Sequence, residues 1–345
     1  MLPKVAQDPR FRAGRSLVQK GKAGAAVDIF ASLLEEARNT FGEASIESAP
    51  AYYEYGNSLL RDASVEEENV EIEEEANNEK EKMNMREAAA LAAEKRLRGE
   101  TDTTSQDSKP AAKEIPNDEK PSRDDDAQQN QEEQDEQEDS DEPSDLELAL
   151  EMMETAWSIL DVYVQSEASD KLYLDWALEQ SPRYLTGIGD ALSACERHAD
   201  AADAYARALQ HRLERLQKFD AKDMSTEHLK CRRLIVEANI LISEEFLACP
   251  EGEDVVTTET QDLLVKASER VDYARGYYDK ARDELQETVL LMGEMAAKGI
   301  DVGAEKEDIC FVSTMVMGVG VKLAELEESA QASEQEPSKK KARRK

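Results

Sequence analysis

The chain has 345 residues, with 77 acidic against 43 basic side chains and a formal net charge of −34. That charge repels nucleic-acid phosphates and attracts polycations, so direct DNA or RNA binding is not expected and abundant basic proteins are the expected partners. Hydrophobic residues make up 40% of the chain, enough for one sizeable core once its most acidic stretch is set aside as unpacked.

Along the chain, the first unit reads Ala13, Gly14, Leu17, then Ala26, Phe30, Leu33, with a turn at 21–24. These spacings are those of a tetratricopeptide repeat (TPR), a helical hairpin in which small residues let two helices approach closely. Arg10 stands where the template has a large residue. A lengthened turn from Asn39 through Glu43 to Ala49 leads to the first helix of a second unit, with Tyr52, Tyr55, Gly56 and Leu59. Its partner helix should begin about nine residues later by the repeat template. An acidic stretch arrives instead.

Residues 61–145 hold roughly thirty Asp and Glu against about eleven Lys and Arg. The densest acid is Glu66, Glu67, Glu68, Glu73, Glu74 and Glu75, then Asp124, Asp125 and Asp126, then Glu132, Glu133, Asp135, Glu136, Glu138 and Asp139. From 99 to 144 there is almost no apolar side chain, so burial cannot offset the entropy of ordering, and disorder is expected. The partner helix resumes within 146–164, where Ala149, Met153 and Ala156 take the second-helix positions. The second repeat is therefore split between its two helices.

The third unit carries the full pattern: Leu185, Ile188, Gly189, Leu192, Ala201, Tyr205 and Ala208. A fourth is less regular, with a first helix over 229–247, a loop at 248–260 and a long second helix over 263–295 in which Ala267, Val271 and Ala274 fall on one stripe. The apolar stretch 309–323, interrupted by Gly318 and Gly320, is about fifteen residues, short for a bilayer, and reads as a buried helix within a cap at 308–325. The expected fold is an all-α TPR solenoid of about four repeats. It divides into 1–60, the disordered acidic insert 61–145, the body 146–325 and a disordered tail 326–345.

The tail ends in Lys339, Lys340, Lys341, Arg343, Arg344 and Lys345, a nuclear-localisation candidate. Residues 1–10 lack the apolar region of a secretory signal. Cys195, Cys231, Cys249 and Cys310 form no CxxC pair, and His198, His211 and His228 form no HExxH pair, so buried reduced thiols and no metal or cofactor are expected. Gly187-Ile188-Gly189 reads as repeat packing rather than a phosphate loop, and Glu196 beside Cys195 would raise its thiol pKa rather than activate it. An enzyme is not expected.

The concave face of such an array comes from fixed positions of each first helix. Here they are Asp8, Phe11, Arg15, Val18 and Gln19, then Tyr53, Asn57, Leu60 and Arg61, then Arg183, Thr186, Asp190, Ser193 and Ala194. The groove candidates singled out are Phe11, Arg15, Tyr53, Asn57, Leu60, Arg183 and Asp190, whose mixed chemistry suits an amphipathic helix or an extended peptide. Tyr52 and Tyr55 read as core. A co-chaperone gripping the C-terminus of heat-shock proteins needs Lys and Asn at two positions of the first repeat, where this chain has Phe11 and Arg15.

Together, the repeat at Gly14, Ala26 and Phe30, the run 52–60 (YYEYGNSLL), the acid-split second repeat, the strong third repeat and the basic C-terminus resemble the NASP (SHNi-TPR) histone chaperones over nearly the whole chain. The resemblance implies binding of histone H3 or H3–H4, and of linker histone H1 in some members, for storage and nucleosome assembly. It implies a nuclear protein with a cytoplasmic pool. A scaffold subunit of a histone acetyltransferase complex is the alternative. The partner expectations also include a second copy of the chain, and exclude nucleic acid and membranes. The fourth repeat departs from the pattern.

Overall fold

In the computed structural model the described residues are 1–65, 144–166, 172–220, 222–258, 261 and 263–335, with side chains to 328. The acidic positions from Glu66 to Asp139 and the basic run from Lys339 to Lys345 lie outside them.

Secondary structure begins with α1 (Lys4–Gln7) and α2 (Pro9–Gln19). Asp8 caps α2, its carboxylate accepting from the Arg10 N–H, and Pro9 takes the first helical position, where a missing N–H costs nothing. The helix ends at Gln19, and in the turn that follows Gly21, at φ +69°, lets the Lys22 N–H reach back to the Leu17 carbonyl at 3.0 Å. After this turn come α3 (Ala23–Phe41) and α4, which spans 49–65 up to the limit of the described residues. Two expectations need correction here. Residues 39–41 are helical, because the chain breaks only at Gly42 (φ +94°), and 61–65 continue α4 rather than belonging to the insert.

On the far side of the acidic sequence α5 (Asp145–Gln165) starts with a capping box: the Ser144 hydroxyl accepts from the Glu147 N–H, and the Glu147 carboxylate accepts from the Ser144 N–H. Then follow α6 (Leu174–Ala194), α7 (His198–Leu216) and α8 (Thr226–Ala248). The α6–α7 turn repeats the hydrogen-bond pattern of α2–α3, but with Glu196, not glycine, at φ 58°; the Arg197 N–H donates to the Leu192 carbonyl at 2.8 Å.

The expected long helix over 263–295 is also corrected. Its first residues form β2 (Leu264–Val265), antiparallel to β1 (Val255–Val256), and then a 3-10 turn at Ala267–Glu269. Burial of the β-branched pair Val255 and Val265, with the Asp254 carboxylate accepting from the Ala267 N–H, competes with helix there. Helix α9 runs only from Arg270 to Ala297. Helix α10 (Gly303–Gln335) continues past the expected limit of the cap, through a stretch of good helix formers with no Pro or Gly.

Apart from the two-residue ladder, the described residues are all-α. Three glycines set the closest approaches. A β-carbon at Gly14 would lie 2.6 Å from the Phe30 ring, and one at Gly56 would lie 2.6 Å from the Ala149 carbonyl oxygen and 3.0 Å from Met153. At Gly189 it would enter the van der Waals shell of the Tyr205 ring. So α2 packs on α3, α4 on α5 and α6 on α7 by the same device, although 78 residues of the sequence lie between residues 65 and 144. One continuous core runs from Val5 to Leu323.

By length and composition, α10 is the one helix among the described residues apolar enough to cross a bilayer. Ile309, Val312, Val316, Val319 and Leu323 form its buried stripe, on the side packed against α8 and α9. Phe311, Met317 and Val321 are exposed.

Candidate functional site

The first helices of successive pairs converge on a cavity of about 630 Å³. Its wall takes Val18 and Gln19 from α2, Tyr53, Asn57 and Arg61 from α4, and Arg183, Thr186 and Asp190 from α6. Each of these falls at a position that the repeat spacing assigned to the concave face. Glu179, Gln180, Pro182 and Gly187 of α6 also line it, and the rest comes from α7 and α8: Arg212, Arg215, Glu227, Lys230, Cys231, Leu234 and Glu237.

Of the seven groove candidates, Tyr53, Asn57, Arg183 and Asp190 share this wall. Phe11 does not: it is buried and sits edge-on to Phe30 at 5.7 Å. Leu60 is also buried in the core. For both, burying a large apolar side chain is worth about 1.5–3 kcal/mol, which a solvent-facing position would forfeit. Arg15 is off the wall and acts from behind it, with Nε 3.3 Å from Glu54. Ser193 and Ala194 are not on the wall either, and Asp8 is the α2 cap. Tyr52 is core, as expected.

Tyr53 anchors the wall. Its ring stacks on Tyr184 with centroids 4.1 Å apart, the Arg183 guanidinium lies 4.6 Å above it, and its hydroxyl donates to the Arg183 carbonyl at 3.2 Å. Burial pushes its hydroxyl pKa up to about 12, so it is a neutral donor. Gly187 makes room for it, since a β-carbon there would lie 2.7 Å from the Tyr53 oxygen.

Behind the wall lies Glu54, a carboxylate only 2% exposed that accepts from Arg183 at 2.7 Å and pairs with Arg15. One buried anion thus ties α2, α4 and α6 together, and removing it would leave two cations without their partner. Neither Glu54 nor the α7–α8 residues are among the sequence candidates. The signal for Glu54 was a lone charge inside 51–56 (AYYEYG). For Arg212 it was phase: Ala201, Tyr205 and Ala208 continue to 212, so the arginine lies on the packed stripe of α7. The α8 residues were missed because the repeat register could not be fixed there.

Asp190, Arg212 and Cys231 at the cavity also have perturbed ionisation. Burial pushes the Asp190 carboxyl up to about 6, although the Tyr205 hydroxyl donates to it at 2.8 Å and Arg61 opposes the shift. Burial likewise pulls Arg212 below the usual arginine range and pushes the Cys231 thiol up, away from thiolate reactivity. Among the described residues no group of three or more His, Cys, Asp or Glu is placed to hold a metal. The cavity offers an aromatic face, an amide and both signs of charge, a set suited to gripping a peptide segment.

No protein-family model matches the chain, and no curated protein matches it.

Proposed function

We propose that the protein is a histone chaperone that receives a segment of histone H3, alone or within H3–H4, in the cavity between α2, α4, α6 and α8. The acidic sequence 66–142 neutralises the remaining basic charge of the same cargo. The reading covers storage, nuclear delivery and hand-over for nucleosome assembly, on an array of TPR hairpins. The observation that carries it is the contact of Gly56 with Ala149 and Met153. Helices α4 and α5 pack as a pair, and the acidic sequence is inserted between them. It is joined covalently at one end to the helix that supplies Tyr53, Asn57 and Arg61 to the cavity. A polyanion held this way works at high effective concentration on whatever the cavity holds.

The test is H3–H4 binding by the full chain and by a variant in which a short Gly/Ser linker replaces 66–142, at low and at high salt. The variant should lose about tenfold or more in affinity at low salt and keep a salt-tolerant residual that a bulky substitution at Asn57 removes. Loss of all binding on deletion, or no change, would overturn the two-part reading. Recovery of heat-shock proteins or acetyltransferase subunits without histones from nuclear extract would favour the co-chaperone or scaffold alternative. Nuclear entry is assigned to Lys339–Lys345, and unchanged nuclear accumulation after truncation at Pro337 would refute that assignment.

A further inference from the structure

The chain is strongly acidic, yet its cavity is not. Five cations line it, Arg61, Arg183, Arg212, Arg215 and Lys230, against four anions, Glu179, Asp190, Glu227 and Glu237. Much of this charge is matched internally: Arg183 by Glu54 at 2.7 Å, Arg215 by Glu227 at 3.2 Å, and Glu237 by Arg233 at 3.4 Å.

Arg212 and Asp190 differ. Arg212 is only 5% exposed, and among the described residues its hydrogen bonds go to no carboxylate. Its two terminal nitrogens donate to neutral acceptors, the Leu234 carbonyl and the Thr186 hydroxyl, each at 2.8 Å, and its Nε has no partner. Asp190 is held by the neutral Tyr205 hydroxyl. Arg212 feels Glu237 and then Asp190, and Asp190 feels Arg61 and then Arg212, none of them paired to it by a hydrogen bond or ion pair among the described residues. A buried charge whose hydrogen bonds all go to neutral groups is costly even with an opposite charge farther off, and a ligand that brings the opposite charge into contact relieves the cost. A uniformly basic ligand would relieve it at Asp190 and worsen it at Arg212.

We infer that the cavity selects a mixed-charge peptide segment, with a ligand carboxylate directed to Arg212 and a ligand Lys or Arg to Asp190, and discriminates against uniformly polybasic segments. The inference rests on the cavity being a peptide site, but not on the peptide coming from a histone. It gives the molecule two elements of opposite preference, the acidic sequence for polycations and the cavity for balanced charge.

The probes are three fluorescein-labelled synthetic helical peptides of equal length and apolar content, added to the full chain. One carries Glu and Arg at i, i+4, one replaces each Glu by Gln, and one replaces each Arg by Gln. In competition for the site held by the labelled mixed peptide, unlabelled mixed peptide should be about tenfold or more stronger than either of the others. Unlabelled all-basic peptide should fail to displace the labelled mixed peptide, because its binding lies elsewhere on the chain. Arg212→Met should remove the preference for the mixed over the all-basic peptide, and Arg212→Lys should restore part of it. If Arg212→Met fails to fold by circular dichroism, Asp190→Asn decides: it should erase the preference for the mixed over the all-acidic peptide. Equal binding of mixed and all-basic peptides in competition, or a preference that survives these substitutions, would overturn the inference. Preference for the mixed peptide without any H3–H4 binding would instead refute the histone reading and leave this one standing.

Discussion

The pairs α4/α5 and α6/α7 use the same packing device with opposite connections. In α6/α7 the chain turns through Cys195, Glu196 and Arg197, and Gly189 meets Tyr205 sixteen residues later in sequence. In α4/α5 the turn is replaced by 66–143, and yet Gly56 still lies against Ala149 and Met153. The interface is specified by which small residue faces which side chain, not by the turn. A helical pair assembled this way tolerates a long insertion because loop-closure entropy grows only logarithmically with length.

The largest expected effect comes from breaking both interfaces alike. Gly56→Ala places a methyl 2.6 Å from a backbone oxygen, and Gly189→Ala places one against the Tyr205 ring. Overpacking of this kind costs about 2–3 kcal/mol in each case. Thermal unfolding should therefore fall by about 5–10 °C in both variants. A loss at Gly189 with none at Gly56 would show that the divided pair is not a structural unit.

The second prediction isolates the connection. If 66–143 closes the α4/α5 pair as an unstructured segment, a linker of about eight Gly/Ser residues in its place lowers the closure cost by about 2 kcal/mol. Urea unfolding should show that gain with no change in the cooperativity of the transition. A destabilised variant would mean that the acidic sequence contributes contacts to the folded body.

A third difference is chemical. The side chain facing the small residue is Phe30 in the first pair, Met153 in the divided pair and Tyr205 in the contiguous one, and only Tyr205 carries a hydroxyl, given to Asp190. With its pKa raised to about 6 from an ordinary 3.8, Asp190 keeps a proton in the folded state that the unfolded chain has already lost. Stability from this residue is therefore present below about pH 4, is lost as pH rises through 6, and stays lost at pH 7. Asp190→Asn should stabilise by about 3 kcal/mol at pH 7 and by nothing near pH 3.5, as measured by denaturant unfolding at both pH values. The same substitution should weaken cationic ligands, a trade of stability against binding.

Much of this was legible in the sequence because close packing imposes spacing. Gly14 and Gly189, with Phe30 and Tyr205 sixteen positions on, stand out as a pattern that Gly56 and Met153 share across the insert, and the cavity wall from α2 through α6 follows from their phase. What stayed hidden depends on contacts between distant segments. Phe11 sits at a groove position but turns inward because the space beside Gly14 accepts the Phe30 ring, and Phe11 packs on its edge. Glu54 reads as a solvated charge until Arg15 and Arg183 arrive from two other helices. Beyond α7 the pattern failed because a buried Val255–Val265 pair interrupts what the apolar stripe suggested was one helix. The α8 contribution to the cavity, with Arg212 beneath it, was lost with that register.

The smallest prediction concerns the turn that α6/α7 retains and α4/α5 does not. Glu196 occupies the left-handed region at φ 58°, while the equivalent residue after α2 is Gly21 at φ 69°. A side chain in that region costs about 1 kcal/mol relative to glycine. Glycine also gives back some of this through its freer unfolded state. Glu196→Gly should therefore stabilise by at most about 1 kcal/mol, raising the melting temperature by about 2–4 °C. It should leave the peptide preferences of the cavity unchanged, since Glu196 is not on the wall. A loss of stability would mean that the Glu196 side chain makes a contact worth more than its backbone strain, and that the turn, not only the glycine–tyrosine interface, holds α6 to α7.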